Sequence, residues 1–231
     1  MPTIPEAAVW AIYFVPLATG ALCATAFRRT PLMAGRAMIA AMFVAWLLAL
    51  WTLQTVLGNH GEAIGFEPVT WVSLGDIPIR FGARVDGLTA VMLVVVTSVS
   101  LCVHIYSLGY MHGDVRFTWF YVVLSLFTGA MLNVVIADNL FQLLLGWEVM
   151  GVCSYLLIGH WWEEQANSNA AIKAFLTTRV GDIPFMFGIF ALVLATGTTT
   201  SNIHVIGERV AGGEVSGPLI AAAALLLFGG T

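Results

Sequence analysis

Four ionisable residues stand in stretches that are otherwise largely apolar: Glu148, Lys173, Arg179 and Asp182. Glu148 lies close to the middle of the run from Asn139 to Trp162, NLFQLLLGWEVMGVCSYLLIGHWW. As a helix that run is roughly 35 Å long, enough to cross a bilayer. Counting from Asp138 on one side and His160 on the other puts Glu148 about 15 Å from either end. A carboxylate at that depth costs about 3 kcal/mol on insertion scales, so it normally faces a partner or a water-filled path, and moving protons or ions is the chemistry such groups serve. The plainer reading is a protonated glutamate satisfied by a neighbouring helix.

The next apolar run, Asn169 to about Thr196, carries Lys173, Arg179 and Asp182. Arg179 and Asp182 are three apart, share one helix face and can pair. The connection around Glu163 to Ser168 is short, so the two helices are expected to be antiparallel neighbours. Counted outward from that turn, Glu148 lies about as far back as Arg179 and Asp182 lie forward, so an acid, a guanidinium and a second acid come level near the bilayer midplane. Lys173 is only about one turn in, and its stem can snorkel to the interface, so an interfacial anchor and a functional role both stay open. His104, near the end of an earlier apolar run, reads either as an interfacial hydrogen-bonded histidine or as a further proton carrier.

These groups need a membrane bundle to position them, and the composition supplies one. The chain of 231 residues is 59% hydrophobic and only 10% charged, with a mean hydropathy of +0.91, whereas a soluble domain carries about 25% charged residues. It therefore reads as an integral membrane protein with the lipid bilayer as its surroundings. The net charge of −4 without a basic run excludes nucleic acid as a partner. Cys23, Cys102 and Cys153 are scattered through apolar runs, and no C-x-x-C pair or Cys/His cluster is present, which argues against a disulfide, an iron–sulfur cluster or zinc. Neither G-x-G-x-x-G nor a phosphate loop occurs. The chain is expected to hold no metal, cofactor or redox centre of its own. One Lys against eight Arg in an Ala- and Gly-rich chain hints at a bacterial gene and a bacterial plasma membrane.

The expected architecture is all-α: a polytopic helix bundle of six spans and a truncated seventh. The first spans cover about Ala7 to Phe27, Met38 to Leu57, Asp86 to between Tyr106 and Met111, and Phe117 to Ala137; the two charged helices follow. Between spans two and three, residues 58–85 mix Gly, Pro and charges with short alternating runs, PVTWVSL and IPIRFG, around a Gly75-Asp76 turn signal; a small extramembrane hairpin is expected. Ile203 to Val210 is a short amphipathic surface segment. From Pro218 roughly fourteen apolar residues remain, too few to cross, so the sequence reads as a fragment or part of a longer chain. Arg28, Arg29, Arg36 and Arg116 place their loops in the cytoplasm and the N-terminus and hairpin outside.

VDGLTAVMLVVV, HIYSLGYMHGD, ADNLFQLLLGWEVMGVCSYLLIGHWW and NAAIKAFLTTRVGD, in this order and spacing from about Val85 to Asp182, resemble the antiporter-like chain 5 (subunit L) of proton-pumping NADH–quinone oxidoreductase, respiratory complex I. The resemblance implies a proton-translocating subunit built of two inverted five-helix repeats with broken helices. It divides the chain into a three-span region, 1–116, and a first antiporter-like repeat, 117–231, incomplete at its C-terminal end. It implies that Glu148 is the essential glutamate of the fifth helix, that Arg179 and Asp182 are the sixth-helix pair, and that Lys173 is the lysine before it. The family's seventh-helix lysine, its second repeat and its lateral helix are missing, so this segment alone is not a complete proton path. The resemblance further implies partners in other membrane-arm subunits, above all a neighbouring antiporter-like subunit, with NADH, FMN, iron–sulfur clusters and quinone held by other subunits. Two rival readings remain: the large subunit of a multi-subunit sodium/proton antiporter, which shares these motifs, and a structural membrane subunit whose charges only pin helices together.

Overall fold

The computed structural model describes residues 4–60, 63–74, 77–195 and 201–230. Within them six helices are long and apolar enough to cross a membrane: α1 (Glu6–Thr25), α2 (Pro31–Gly58), α3 (Gly87–Tyr110), α4 (Phe117–Ile136), α5 (Leu140–Ile158) and α6 (Gln165–Ala195). Two shorter helices follow, α7 (Ile203–Ala211) and α8 (Gly217–Phe228). α8 covers the last apolar run, and its 12 residues make about 18 Å of helix.

The strands are confined to the expected extramembrane segment. β2 (Val69–Leu74) pairs antiparallel with β3 (Ile77–Phe81), and outside them β1 (Ile64–Gly65) pairs with β4 (Arg84–Val85), giving a nested hairpin. The Gly75-Asp76 turn lies outside the described residues. Ile4, Ala8 and Val9 pack in one cluster with Val56, Ala83 and Val85, so the N-terminus and the hairpin share one side of the bundle. α1, α2, α3 and α4 pack as a group, α5 lies on α4, and α6 lies between α5 and α8.

Helix ends fall where local chemistry puts them. Asp86 caps α3 through the Thr89 N–H at 2.8 Å, and Asn139 caps α5 through the Gln142 N–H at 2.9 Å. Pro31 sits at the start of α2, where a missing N–H costs nothing, so that helix begins about two turns earlier than its apolar run suggests. The expected fifth span to Trp162 is too long: α5 ends at Ile158, Gly159 caps it, and the next helix starts at Gln165 rather than Asn169.

Both ends of α5 are tied down. On the hairpin side, Gln142 and Asn133 exchange hydrogen bonds between α5 and α4 at 3.0 and 3.1 Å, and the Gln142 carbonyl Oε1 accepts from the Gly82 N–H at 3.0 Å. Asn139 Nδ2 donates to the Arg80 carbonyl at 2.8 Å, and backbone bonds join Asp138 and Leu140 to Ile203 and Ser201. A side chain at Gly82 would collide with the Asp138 carboxylate, which is why the hairpin approaches the α4–α5 turn through a glycine. On the opposite side, the α3–α4 loop clasps the α5–α6 loop. Asp114 accepts from the Trp161 indole at 2.8 Å and the Arg116 N–H at 2.6 Å, with His160 Nε2 at 3.4 Å. The Arg116 guanidinium meets Glu163 through two bonds, at 2.8 and 2.9 Å, and lies 3.8 Å over the Trp162 ring.

Burial pushes the Asp114 carboxyl up, but the donors from Arg116, Trp161 and His160 outweigh it and hold the group below its ordinary range. A carboxyl lowered in the fold stabilises above its unfolded value, about 3.9, and loses that contribution as pH falls through the folded value. The thermal midpoint of the protein in lipid or detergent should therefore lose the clasp's contribution only below about pH 4. Asp114→Asn should lower stability at pH 7 by about 1–3 kcal/mol, because an amide cannot accept from all three donors, and should remove the clasp's share of the acid dependence. Unchanged melting of that variant at both pH values would show that the clasp contributes nothing.

Candidate intramembrane charge site

α5 and α6 run antiparallel and bring the expected residues together. The Arg179 guanidinium pairs through Nη1 with Glu148 Oε2 and through Nη2 with Asp182 Oδ2, the latter at 3.1 Å. The Trp147 indole N–H donates to the other Asp182 oxygen, Oδ1, at 2.9 Å. Side-chain exposure falls from 34% at Glu148 to 24% at Arg179 and 7% at Asp182. Asp182 is thus the buried, doubly engaged acid and Glu148 the more accessible one.

Small and flat residues make the approach possible. Gly151 lies on the Glu148 face of α5, and a Cβ there would run into the Arg179 guanidinium. Gly146 lets α5 close onto α4, where a Cβ would meet the Ala130 carbonyl at 3.0 Å. The guanidinium carbon sits 4.9 Å above the Phe175 ring, one turn before it on α6. Pro184, two residues beyond Asp182, lacks the N–H that would bond the Val180 carbonyl. Beside Arg179 and Asp182 opens a cavity of about 480 Å³, lined also by Phe127, Trp147, Gly151 and Tyr155 and closed on one side by Gly229 and Gly230. The chain leaving α8 therefore reaches the same depth as the charges.

The other expected residues lie elsewhere. Lys173 is exposed on α6, about 9 Å along the axis from Arg179, and does not line the cavity. His104 is fully buried in α3 against Tyr121 of α4 and shares no hydrogen bond, ion pair or ring contact with the three charges among the described residues. Two residues of the site escape the sequence reading: Trp147, the donor to Asp182, and Gly151, the seat of the guanidinium. Their signal is positional, since Trp147 precedes Glu148 and Gly151 follows it by three on the same helix.

With both acids ionised, the three side chains carry a net −1 charge in an apolar surrounding, and one added proton makes them neutral. Chemically, such an arrangement can hold or release a proton.

The family model for the chain 5 N-terminus of NADH-ubiquinone oxidoreductase (complex I) matches residues 71–121, and that for the NADH:quinone oxidoreductase/Mrp antiporter transmembrane region matches residues 137–231. NAD(P)H-quinone oxidoreductase chain 5 of Synechocystis sp. is 44% identical over 173 residues, 73% of this chain and 25% of the relative. NADH-quinone oxidoreductase subunit L of Rickettsia felis is 45% identical over 141 residues, 61% of this chain and 22% of the relative. The chain thus spans about a quarter of the length of the curated relatives it matches. A chain of the Mrp complex from Dietzia sp. shares the fold with a TM-score of 0.78 at 22% identity, covering 96% of this chain and 23% of that one. A chain of the archaeal membrane-bound sulfane sulfur reductase does so with a TM-score of 0.78 at 14% identity, covering 96% and 43%. This multi-pass membrane protein belongs to the family of antiporter-like subunits that the two family models describe, shared by chain 5 of NADH:quinone oxidoreductase and the Mrp antiporters.

Proposed function

We propose that the chain is part of a membrane-arm subunit of a proton-translocating NADH–quinone oxidoreductase in a bacterial plasma membrane, and that Glu148, Arg179 and Asp182 carry its proton step. Residues 1–116 form the leading three-span region and 117–231 belong to the first antiporter-like repeat. The loops of Arg28, Arg29, Arg36 and Arg116 face the cytoplasm. One observation carries the reading: a single guanidinium shared by two carboxylates inside the apolar bundle.

The proton step follows from that sharing. Desolvation favours the protonated acid at Glu148, and the adjacent guanidinium favours the carboxylate. When Arg179 leans toward Asp182, the more exposed Glu148 loses its partner and takes a proton from water. When the guanidinium returns, Glu148 releases that proton and the ion pair reforms. Lys173, exposed nearly two turns nearer the membrane surface, delivers or attracts charge at the rim. The driving energy comes from electron transfer in other subunits, which hold NADH, FMN, iron–sulfur clusters and quinone, and reaches this chain through a neighbouring antiporter-like subunit. The second family model names the Mrp antiporters alongside the oxidoreductase, so sodium/proton exchange is the alternative reading.

Glu148→Gln in the full-length, assembled complex should keep assembly and lose proton translocation by about an order of magnitude or more, because the amide keeps the shape and cannot titrate. Glu148→Asp should retain part of the activity. Proton uptake into inverted vesicles, with electron transfer followed alongside, reads both; full pumping by the Gln variant would remove Glu148 from the path. Equal loss of assembly in both variants would instead favour a purely structural role, and sodium-dependent exchange without electron transfer would favour the antiporter.

Asp182→Asn should leave Arg179 to Glu148 alone, hold that acid ionised and slow pumping without unfolding the bundle. Gly151→Ala should push the guanidinium away from its seat and reduce pumping while the six spans stay folded. Wild-type pumping rates in both would show that the shared guanidinium is not part of the mechanism.

A further inference from the structure

α3 and α4 contain no Asp, Glu, Lys or Arg, and His104 is their single histidine. Its side chain is 0% exposed. Nδ1 lies 2.7 Å from the Ser100 carbonyl oxygen. A carbonyl oxygen only accepts, so Nδ1 carries the hydrogen and the lone pair of the neutral ring falls on Nε2. No protein group among the described residues reaches Nε2.

The seam around it is polar on both helices. Thr97, Ser100 and Ser107 share the His104 face of α3, and Tyr121 and Thr128 lie buried on α4. The Ser100 and Thr128 hydroxyls are 2.7 Å apart, and the Tyr121 hydroxyl donates to the His104 carbonyl at 2.7 Å. Thr97 and Ser107 donate to carbonyls one turn back. Every hydroxyl in the seam is served and Nε2 is not. A bare buried acceptor costs about 1–3 kcal/mol, and an apolar side chain of similar volume would fill the place without that cost.

We propose that His104 is a second proton-binding site, held in the α3–α4 seam, where Nε2 accepts a hydrogen bond from a buried water and takes a proton through it. The proton moves from the water, in its hydronium form, to Nε2. The imidazolium keeps Nδ1–H on the Ser100 carbonyl and donates Nε2–H to the neutral water left behind; release reverses the transfer. Among the described residues the titratable group in ring contact with His104 is the Tyr121 phenol on α4, and the Cys23 thiol of α1 lies in the same buried cluster as Tyr121; both are ordinarily neutral at pH 7. Glu6 and Arg36, the charged residues of α1 and α2, are exposed. Water and proton are therefore the ligands that fit. The site is separate from the Glu148 path and does not depend on it.

Solid-state ¹⁵N NMR of histidine-labelled, assembled full-length complex in liposomes tests this. One imidazole signal, identified by its loss in His104→Gln, should pass from the neutral to the doubly protonated form as the pH is lowered, and should do so equally in Glu148→Gln. A signal that stays neutral throughout overturns the proposal, and one abolished by Glu148→Gln overturns its independence. Failure of the Glu148 reading leaves this signal untouched, so the two fail separately. If the His104 variant does not assemble, a high-resolution map of the wild-type complex decides: a water about 2.7–3.2 Å from Nε2 supports the site, and none there overturns it.

Discussion

One guanidinium serves two carboxylates in a place where water is scarce, and the surrounding architecture can be understood from that constraint. Charge pairs in a low dielectric are strong only when their geometry is good and the remaining polar atoms are engaged. Arg179 and Asp182 hold their relation through a single helix, but Glu148 stands on another. The register of α5 against α6 must therefore be set from outside the site. The amide network of Asn133, Asn139 and Gln142 does this at one end of α5, and the Asp114–Trp161 and Arg116–Glu163 clasp does it at the other. Gly151 then leaves room for the Arg179 guanidinium against α5, and Gly146 lets α5 close onto α4.

Spans were legible because their causes are local. Long apolar runs define α1 to α6, and Asp86 and Asn139 announce helix starts by their own side-chain chemistry. The level of Glu148, Arg179 and Asp182 followed from counting residues outward from one short turn, and the three side chains meet although α5 ends early and α6 starts early, which moves that turn toward the N-terminus. Long-range partners were not legible. Trp161 finds Asp114 across 47 positions, and Trp147 finds Asp182 across 35, distances over which periodicity carries no information.

His104 shows the limit in another way. Its place near the end of an apolar run says nothing of the neighbour that encloses it: α4 folds back along α3 and buries the ring against Tyr121. Lys173 is the converse. Its sequence neighbours are as suggestive as those of Arg179, yet the helix turns it outward. Depth can be counted along a chain, whereas the direction a side chain faces depends on which neighbour arrives.

The two fastenings of α5 differ in kind, and that difference reaches beyond stability. The amide network is neutral and largely buried. The clasp includes an ion pair whose glutamate, Glu163, is 62% exposed. Counterions shorten the reach of exposed charges to about 8 Å at physiological ionic strength and about 3 Å in molar salt, while a buried pair is screened far less. Dissolved salt thus weakens the ion pair at one end of α5 and leaves the neutral network at the other end nearly untouched. The end of α5 toward the hairpin is held by neutral hydrogen bonds and the opposite end in part by an exposed ion pair, so a rocking of the helix that carried Glu148 past Arg179 would pivot about the hairpin end.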